Sequence, residues 1–123
     1  MATWEDVERL ALALPETARK SSYGNPGWAV CGKVFAWERP LRARDRADLG
    51  GAAPDAVPLG VAVPDVGAKE ALLADDPDAF FTTPHFDGYP VVLVRVERIA
   101  PDVLEEVLGE AWRVKAPRRL TCD

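Results

Sequence analysis

The apolar positions at the start of the chain recur at the spacing of an α-helix. They are Trp4, Val7, Leu10, Ala11 and Leu14, which share one helical face. Thr3 precedes them as a good N-cap, and Asp6 stands three residues later, in the position of a capping box. The pattern predicts a first helix over residues 4–14, which Pro15 ends.

Five later segments have the apolar and β-branched composition of strands, namely residues 28–31, 34–38, 59–63, 80–83 and 91–96. Between the first two segments, Gly32-Lys33 is predicted to form a two-residue hairpin turn of type II′. Cys31 then falls inside an apolar strand and is expected to be a small core residue. The connection between the last two strands is predicted to turn at Asp87-Gly88.

Helical spacing returns twice after the first hairpin. Asp65 is predicted to cap a helix whose apolar residues are Ala68, Ala71, Leu72 and Leu73. A last helix is predicted to begin near Pro101, to present Trp112 on its apolar face and to stop before Pro117.

The order of these elements indicates the fold class. Helix, hairpin, strand, helix, hairpin and helix follow one another, with a further short helix predicted over residues 45–49. Hairpins beside terminal helices favour an antiparallel sheet. The sequence therefore predicts a single α+β domain over residues 1–123, with a sheet of about five strands and the helices packed on one face.

The charge balance affects which partners are plausible. The 123 residues include 20 acidic and 15 basic side chains, which gives a formal net charge of −5. This balance argues against nonspecific affinity for nucleic acid or membranes, because generic polyanion binders are basic. Several basic residues are nevertheless clustered, and those predicted to contact phosphates are Lys33, Arg39, Arg42, Arg44, Arg46, Arg118 and Arg119.

The most distinctive group of polar and aromatic residues surrounds the one histidine of the chain. His85, Asp87 and Tyr89 lie in the connection between the last two strands, and Trp28 begins the first strand. Tyrosine and histidine combine an apolar ring with hydrogen-bonding atoms, which suits a surface that binds a small molecule or stacks on bases. The alternative is structural, since a histidine in a hairpin connection often satisfies backbone groups.

Motifs for catalysis, metals and nucleotides are incomplete. Val34 follows Gly32-Lys33 at the position where a phosphate-binding loop needs serine or threonine. Two cysteines and one histidine cannot close a four-ligand zinc site without carboxylates. The sequence therefore predicts neither a metal nor a cofactor.

The N-terminus and the apolar runs indicate a compartment. The first residues lack the basic and apolar regions of a signal peptide, and the run at residues 91–94 is too short to cross a bilayer. The sequence predicts a cytoplasmic protein without a membrane partner, in which Cys31 and Cys122 are free thiols.

Short motifs along nearly the whole chain occur in an order that resembles the MmcQ/YjbR family of small bacterial proteins. They are WEDV at 4–7, SYGNP at 22–26, GKVFA at 32–36, FFTTPHFDGYP at 80–90, VLVR at 92–95, AW at 111–112 and APRRL at 116–120. The resemblance implies an α+β fold like that of frataxin-type and secretion-chaperone-type domains. It also implies a DNA-binding protein with two wing-like hairpins, and it brings no agreed catalytic residues.

Three classes of function stay open, each with its own residues. The leading hypothesis is a non-catalytic binding module that contacts DNA through the basic residues named above. The second is a protein that binds a small molecule or peptide through Trp28, His85, Asp87 and Tyr89. The third, an enzyme, has no complete motif behind it.

Overall fold

The computed structural model describes residues 1–121 and forms one antiparallel sheet with flanking helices. The helices are α1 (Trp4–Leu12), α2 (Ala43–Leu49), α3 (Val66–Asp75), α4 (Pro101–Lys115) and α5 (Arg118–Thr121). The strands are β1 (Thr17–Arg19), β2 (Gly27–Val30), β3 (Lys33–Glu38), β4 (Leu59–Ala62), β5 (Phe80–Phe81) and β6 (Val91–Val94). Short 3₁₀ turns lie at Gly50–Ala52, Pro84–Phe86 and Val96–Arg98.

The sheet has six strands in the order β1-β2-β3-β4-β6-β5, and every neighbouring pair is antiparallel. The α+β class predicted from the sequence is confirmed, and β1 is the strand beyond the expected five. Its burial pattern has no apolar alternation, because Ala18 and Arg19 are both exposed. Pairing with β2 forms this strand, and that long-range contact leaves no local signal.

Helix α1 begins as its sequence predicts. The Thr3 hydroxyl accepts from the Asp6 backbone N–H at 3.2 Å, and the Asp6 carboxylate accepts from the Thr3 N–H at 3.0 Å. The backbone bond from Thr3 and the nearby Arg9 guanidinium lower the pKa of the Asp6 carboxyl. The helix ends at Leu12 rather than at Leu14, since the residue before a proline disfavours helical backbone.

The main core lies between one face of the sheet and helices α1 and α4. Its largest fully buried side chains include Phe35, Leu59, Phe80, Leu104 and Leu108. Trp112 on α4 is also buried, and its indole N–H donates to the Pro15 carbonyl at 3.0 Å. The predicted orientation of the last helix is therefore confirmed.

A bulge in β3 changes which face of the sheet the side chains of this strand occupy. Ala36 pairs with Trp28 but Val34 pairs with Ala29, so Phe35 is the extra residue. Phe35 and Ala36 both join the main core as a result. A strict two-residue alternation would have placed them on opposite faces.

Not every helix packs on the main-core face. Phe81, Phe86 and Leu93 form a second cluster, against which Leu41 and Leu49 pack. Phe81 and Leu93 alternate with Phe80 and Val92, which belong to the main core, so the second cluster lies on the opposite face of the sheet. Helix α2, which carries Leu49, thus covers part of this second face.

The β2–β3 turn lies one residue earlier than its sequence suggests. Val30 pairs with Lys33, so the two turn residues are Cys31 and Gly32, with φ values of +50° and +82°. Positive φ at both positions is the geometry of type I′ rather than type II′. Cys31 is therefore an exposed free thiol instead of a core residue. Cys122 lies outside the described residues.

Candidate functional site

A cleft of about 790 Å³ opens on the second face of the sheet, beside the Phe81–Phe86–Leu93 cluster. Val34 and Trp37 of β3 and Val91 of β6 line it from the sheet. Glu38 at the end of β3 and Ala62 at the end of β4 also line it. The remaining lining residues come from surrounding loops and from the end of α4, and include Tyr23, Arg39, Arg42, His85, Phe86, Tyr89 and Lys115. We call this feature the sheet cleft.

Gly60 of β4 provides room for the Trp37 ring at the sheet cleft. The two residues pair across β3 and β4, and a Cβ on Gly60 would meet two carbons of the Trp37 ring at 2.8 Å. Trp37 can therefore lie against the sheet only because residue 60 lacks a side chain.

Replacing Gly60 with alanine should destabilise the fold by about 1–3 kcal/mol, because the new methyl group must displace a large ring. Gly109→Ala is the matched control. A Cβ there meets nothing within 4 Å, so alanine in this helix should stabilise by about 0.4–1 kcal/mol. Denaturant unfolding of both variants measures the difference, and equal effects would contradict the packing of Trp37 on Gly60.

Arg39 forms part of the cleft wall and is held by the protein itself. Its guanidinium pairs with the Asp45 carboxylate at 3.3 Å, and both side chains are largely buried. The guanidinium also lies over the Phe86 ring, 5.3 Å from the ring centre. Asp45 in turn accepts from the Arg42 backbone N–H at 2.9 Å. These contacts join the loop before α2 to the 84–86 turn.

Lys69 anchors the connection that carries His85 and Tyr89. Its ammonium is buried and donates to the carbonyls of Phe86 at 2.6 Å and Tyr89 at 3.2 Å. Burial lowers the pKa of the Lys69 amine from its usual value of 10.5, and the Asp87 carboxylate opposes part of that shift. Lys69 was not among the residues predicted from the sequence, although it lies beside the apolar face of a predicted helix.

Three of the predicted pocket residues lie in this connection. His85 and Tyr89 both line the sheet cleft, and Tyr89 is 60% exposed. The His85 ring meets the Phe86 ring edge to face at 4.8 Å. Asp87 is exposed and lies outside the cleft lining. Its carboxylate acts on the site through its charge, which raises the pKa of the Lys69 amine.

Trp28 does not belong to the sheet cleft. Its side chain is 2% exposed, lies in the main core and stacks on Trp4 at 6.4 Å. The bulge places Trp28 opposite Ala36, which also points into the main core. The predicted grouping of Trp28 with His85 and Tyr89 is therefore wrong, and Trp37 is the strand tryptophan at the cleft.

Tyr23 is a cleft residue that the sequence analysis did not select. Ser22 and Asn25 pair across a two-residue turn, whose central residues Tyr23 and Gly24 have φ values of +51° and +81°. The Tyr23 side chain is fully exposed and lines the cleft. Asparagine and glycine are the usual residues of this turn type. A tyrosine in this turn is therefore unusual, and that could have marked Tyr23 as a candidate site residue.

The structure gives contacts with the protein for three of the predicted phosphate-binding residues. Arg39, Arg46 and Arg119 contact the protein: Arg46 donates to the Pro54 carbonyl at 3.1 Å, and Arg119 pairs with Glu16 at 3.1 Å. Arg46 and Arg119 are exposed despite these contacts, as are Lys33, Arg42, Arg44 and Arg118. Arg42 lines the sheet cleft, whereas Lys33 begins β3 rather than forming a hairpin tip.

A smaller cavity of about 490 Å³ lies between the 51–56 loop and the 95–98 segment. Both arginines that line it are engaged by the protein. Arg95 donates to the Ala52 carbonyl at 2.8 Å and stacks on Phe81, while Arg98 pairs with Asp78 at 2.8 Å. Because both arginines are already engaged by the protein, this cavity is a weaker candidate for a ligand site than the sheet cleft.

Among residues 1–121, no group of three histidine, cysteine, aspartate or glutamate side chains is placed to hold a metal ion. None of the helices there combines the length and apolar character needed to cross a membrane.

The fold and the cleft together define a small α+β protein with an aromatic cleft on the second face of its sheet. The chain belongs to the YjbR family, whose model matches residues 12–114. It is 50% identical over 123 residues to the uncharacterized proteins Mb2600 of Mycobacterium bovis and Rv2570 of Mycobacterium tuberculosis, covering 98% of this chain and 93% of theirs.

A solved structure shares the fold at low sequence identity. The crystal structure of Deinococcus radiodurans protein DR2400, a DUF419 domain, matches with a TM-score of 0.62 and 16% identity. The match covers 95% of this chain and 91% of that one. The fold is therefore shared with that protein, and the family-model match confirms the family resemblance stated from the sequence.

Proposed function

We propose that this protein is a non-catalytic binding module that takes a small organic molecule into the sheet cleft. The observation that carries the proposal is the lining of the cleft. Apolar side chains of the sheet face a space of about 790 Å³ that is edged by the rings of Tyr23, His85 and Tyr89. Pockets for small molecules typically have about 300–1,000 Å³ and pair apolar walls with a few polar groups.

The anchoring of the cleft walls supports the same proposal. Arg39 fixes the loop before α2 through Asp45 and Phe86, and Lys69 fixes the turn that carries Phe86 and Tyr89. Walls that are held before a ligand arrives lose less conformational freedom on binding.

Titration with 2-naphthalenemethanol, a neutral planar probe, should produce saturable NMR shifts at the His85 imidazole and the Trp37 indole N–H. His85 is the only histidine, so its signals are unambiguous. The Trp112 indole N–H, which is bonded to Pro15 in the core, should not move. Tyr89→Ala should weaken binding several-fold with little loss of stability, because the ring is 60% exposed.

Val103→Ala is the matched control, since this exposed residue of α4 does not line the cleft. The affinity of the Val103→Ala variant for the probe should equal that of the wild type. The proposal fails if naphthalene probes of every charge produce no saturable shift at millimolar concentration.

DNA contact by Lys33, Arg42 and Arg44 is the second candidate, favoured by the exposure of these side chains. If each neutralises one phosphate, the log–log salt slope of binding should be near −2.7, from about −0.9 per contact. Fluorescence anisotropy at low salt measures it, and Lys33→Gln with Arg44→Gln should remove about two thirds of the slope. DNA binding that does not depend on salt concentration, or no detectable DNA binding at high micromolar protein, would exclude this candidate.

A further inference from the structure

We infer that the ligand of the sheet cleft is a planar aromatic carboxylate, bound by Arg42 and Lys115 and stacked on Tyr23. The inference rests on the proposed function, because it names the chemical class of the molecule that the cleft takes. Two independent observations carry it, one from the charges that line the cleft and one from the backbone of Tyr23.

The charges lining the sheet cleft are positive in excess, although the whole chain carries −5. Among the described residues, three cations and one carboxylate, Glu38, line the cleft. Asp45 already neutralises the Arg39 guanidinium at 3.3 Å. The other charged lining residues are Arg42, Lys115 and Glu38, which leaves an excess of one positive charge.

This excess favours a ligand with one negative group rather than a polyanion. Arg42 is exposed and its guanidinium presents a planar fork of donors, which matches the two oxygens of a carboxylate. Lys115 is half-buried at the end of α4 and adds a second cation beside apolar surface. The acidic surface elsewhere on the protein would repel an extended polyanion.

The backbone of Tyr23 provides the second observation. A tyrosine with φ +51° occupies a turn position that asparagine or glycine would fill without strain. No packing offsets this strain, since the Tyr23 side chain is fully exposed. Strain of this kind concentrates at ligand contacts, and a tyrosine ring at a cleft edge provides a flat surface for stacking.

The experiment compares three naphthalene probes that differ in charge: 2-naphthoate, 2-naphthalenemethanol and 2-naphthylmethylammonium. Affinities are measured at low salt from the shifts of the His85 imidazole signals. We expect naphthoate to bind about tenfold more tightly than the alcohol, which corresponds to one charge-assisted contact of about 1.4 kcal/mol. The ammonium probe should bind most weakly.

Three variants test the assigned residues. Arg42→Gln and Lys115→Gln should each weaken naphthoate binding several-fold and leave the alcohol unchanged. Arg44→Gln is the matched control, because this exposed arginine of α2 does not line the cleft. Tyr23→Asn should weaken binding of all three probes while leaving the melting temperature unchanged or higher, an outcome that a purely structural tyrosine would not give.

The possible results separate this inference from the proposed function. Equal affinities for the alcohol and naphthoate, or a preference for the ammonium probe, would overturn the inference while the cleft stays a binding site. Tyr23→Asn with wild-type affinity would overturn the stacking role. If no probe binds, both the inference and the proposed function are contradicted.

Discussion

Replacing Trp112 with alanine should lower the free energy of unfolding by about 3–5 kcal/mol, the range for deleting a buried large aromatic side chain. The ring is 7% exposed in the main core, and its N–H donates to the Pro15 carbonyl at 3.0 Å. Alanine would leave a cavity between α4 and α1, and it would also leave the Pro15 carbonyl without this donor. Chemical denaturation with fluorescence or circular dichroism measures the loss.

Val103→Ala on the same helix is the matched control for this prediction. Val103 is 36% exposed, so its truncation should change stability by no more than about 0.5 kcal/mol. A loss below about 1 kcal/mol for Trp112→Ala would be a surface-like effect. Such a result would contradict the packing of α4 on the sheet.

Replacing Lys69 with methionine should destabilise the fold by on the order of 2 kcal/mol, the scale of hydrogen bonds to a charged group. Methionine keeps most of the side-chain volume, so the change removes the bonds to the Phe86 and Tyr89 carbonyls without opening a large cavity. The connection that carries His85 and Tyr89 should loosen, and faster amide exchange at residues 84–90 would report it. Unchanged exchange there would contradict the anchoring role.

The pKa of Lys69 gives this prediction a pH dependence of known sign. Burial lowers the pKa of the folded-state amine, while the unfolded chain keeps a value near 10.5. Between these two values the unfolded chain binds more protons, so the stability due to this group rises with pH. Below the folded-state pKa the full cost of burying the charge is present. The stability difference between wild type and Lys69→Met should therefore widen as pH rises toward 10.5. A difference that narrows would contradict the shift.

Much of the fold could be predicted because its signals are local. The capping box of Thr3 and Asp6, the Asp65 cap of α3 and the apolar face of α4 each lie within a few residues. Strand β1 could not be predicted, since it is defined by its pairing with β2. The turn type at Cys31 also depended on strand register, which is a tertiary property.

The candidate site was predicted only in part. His85 and Tyr89, which the sequence predicted as pocket residues, both line the sheet cleft, because they are close in sequence and share one connection. Trp28 was grouped with them, but its side chain is buried in the main core and does not line the cleft. Tyr23, Trp37 and Lys115 reach the cleft from three separate segments, so no spacing in the sequence relates them.

The sequence alone therefore determined the α+β class, the family and most of the helices and strands. These follow from periodicity, capping and turn chemistry, which act over a few residues. The tertiary structure alone decided which face each strand residue occupies, which arginines the protein uses for itself and where a cleft opens. Arg39 shows the reason: its partners Asp45 and Phe86 are brought to it by α2 and the 84–86 turn, and only chain packing sets those distances.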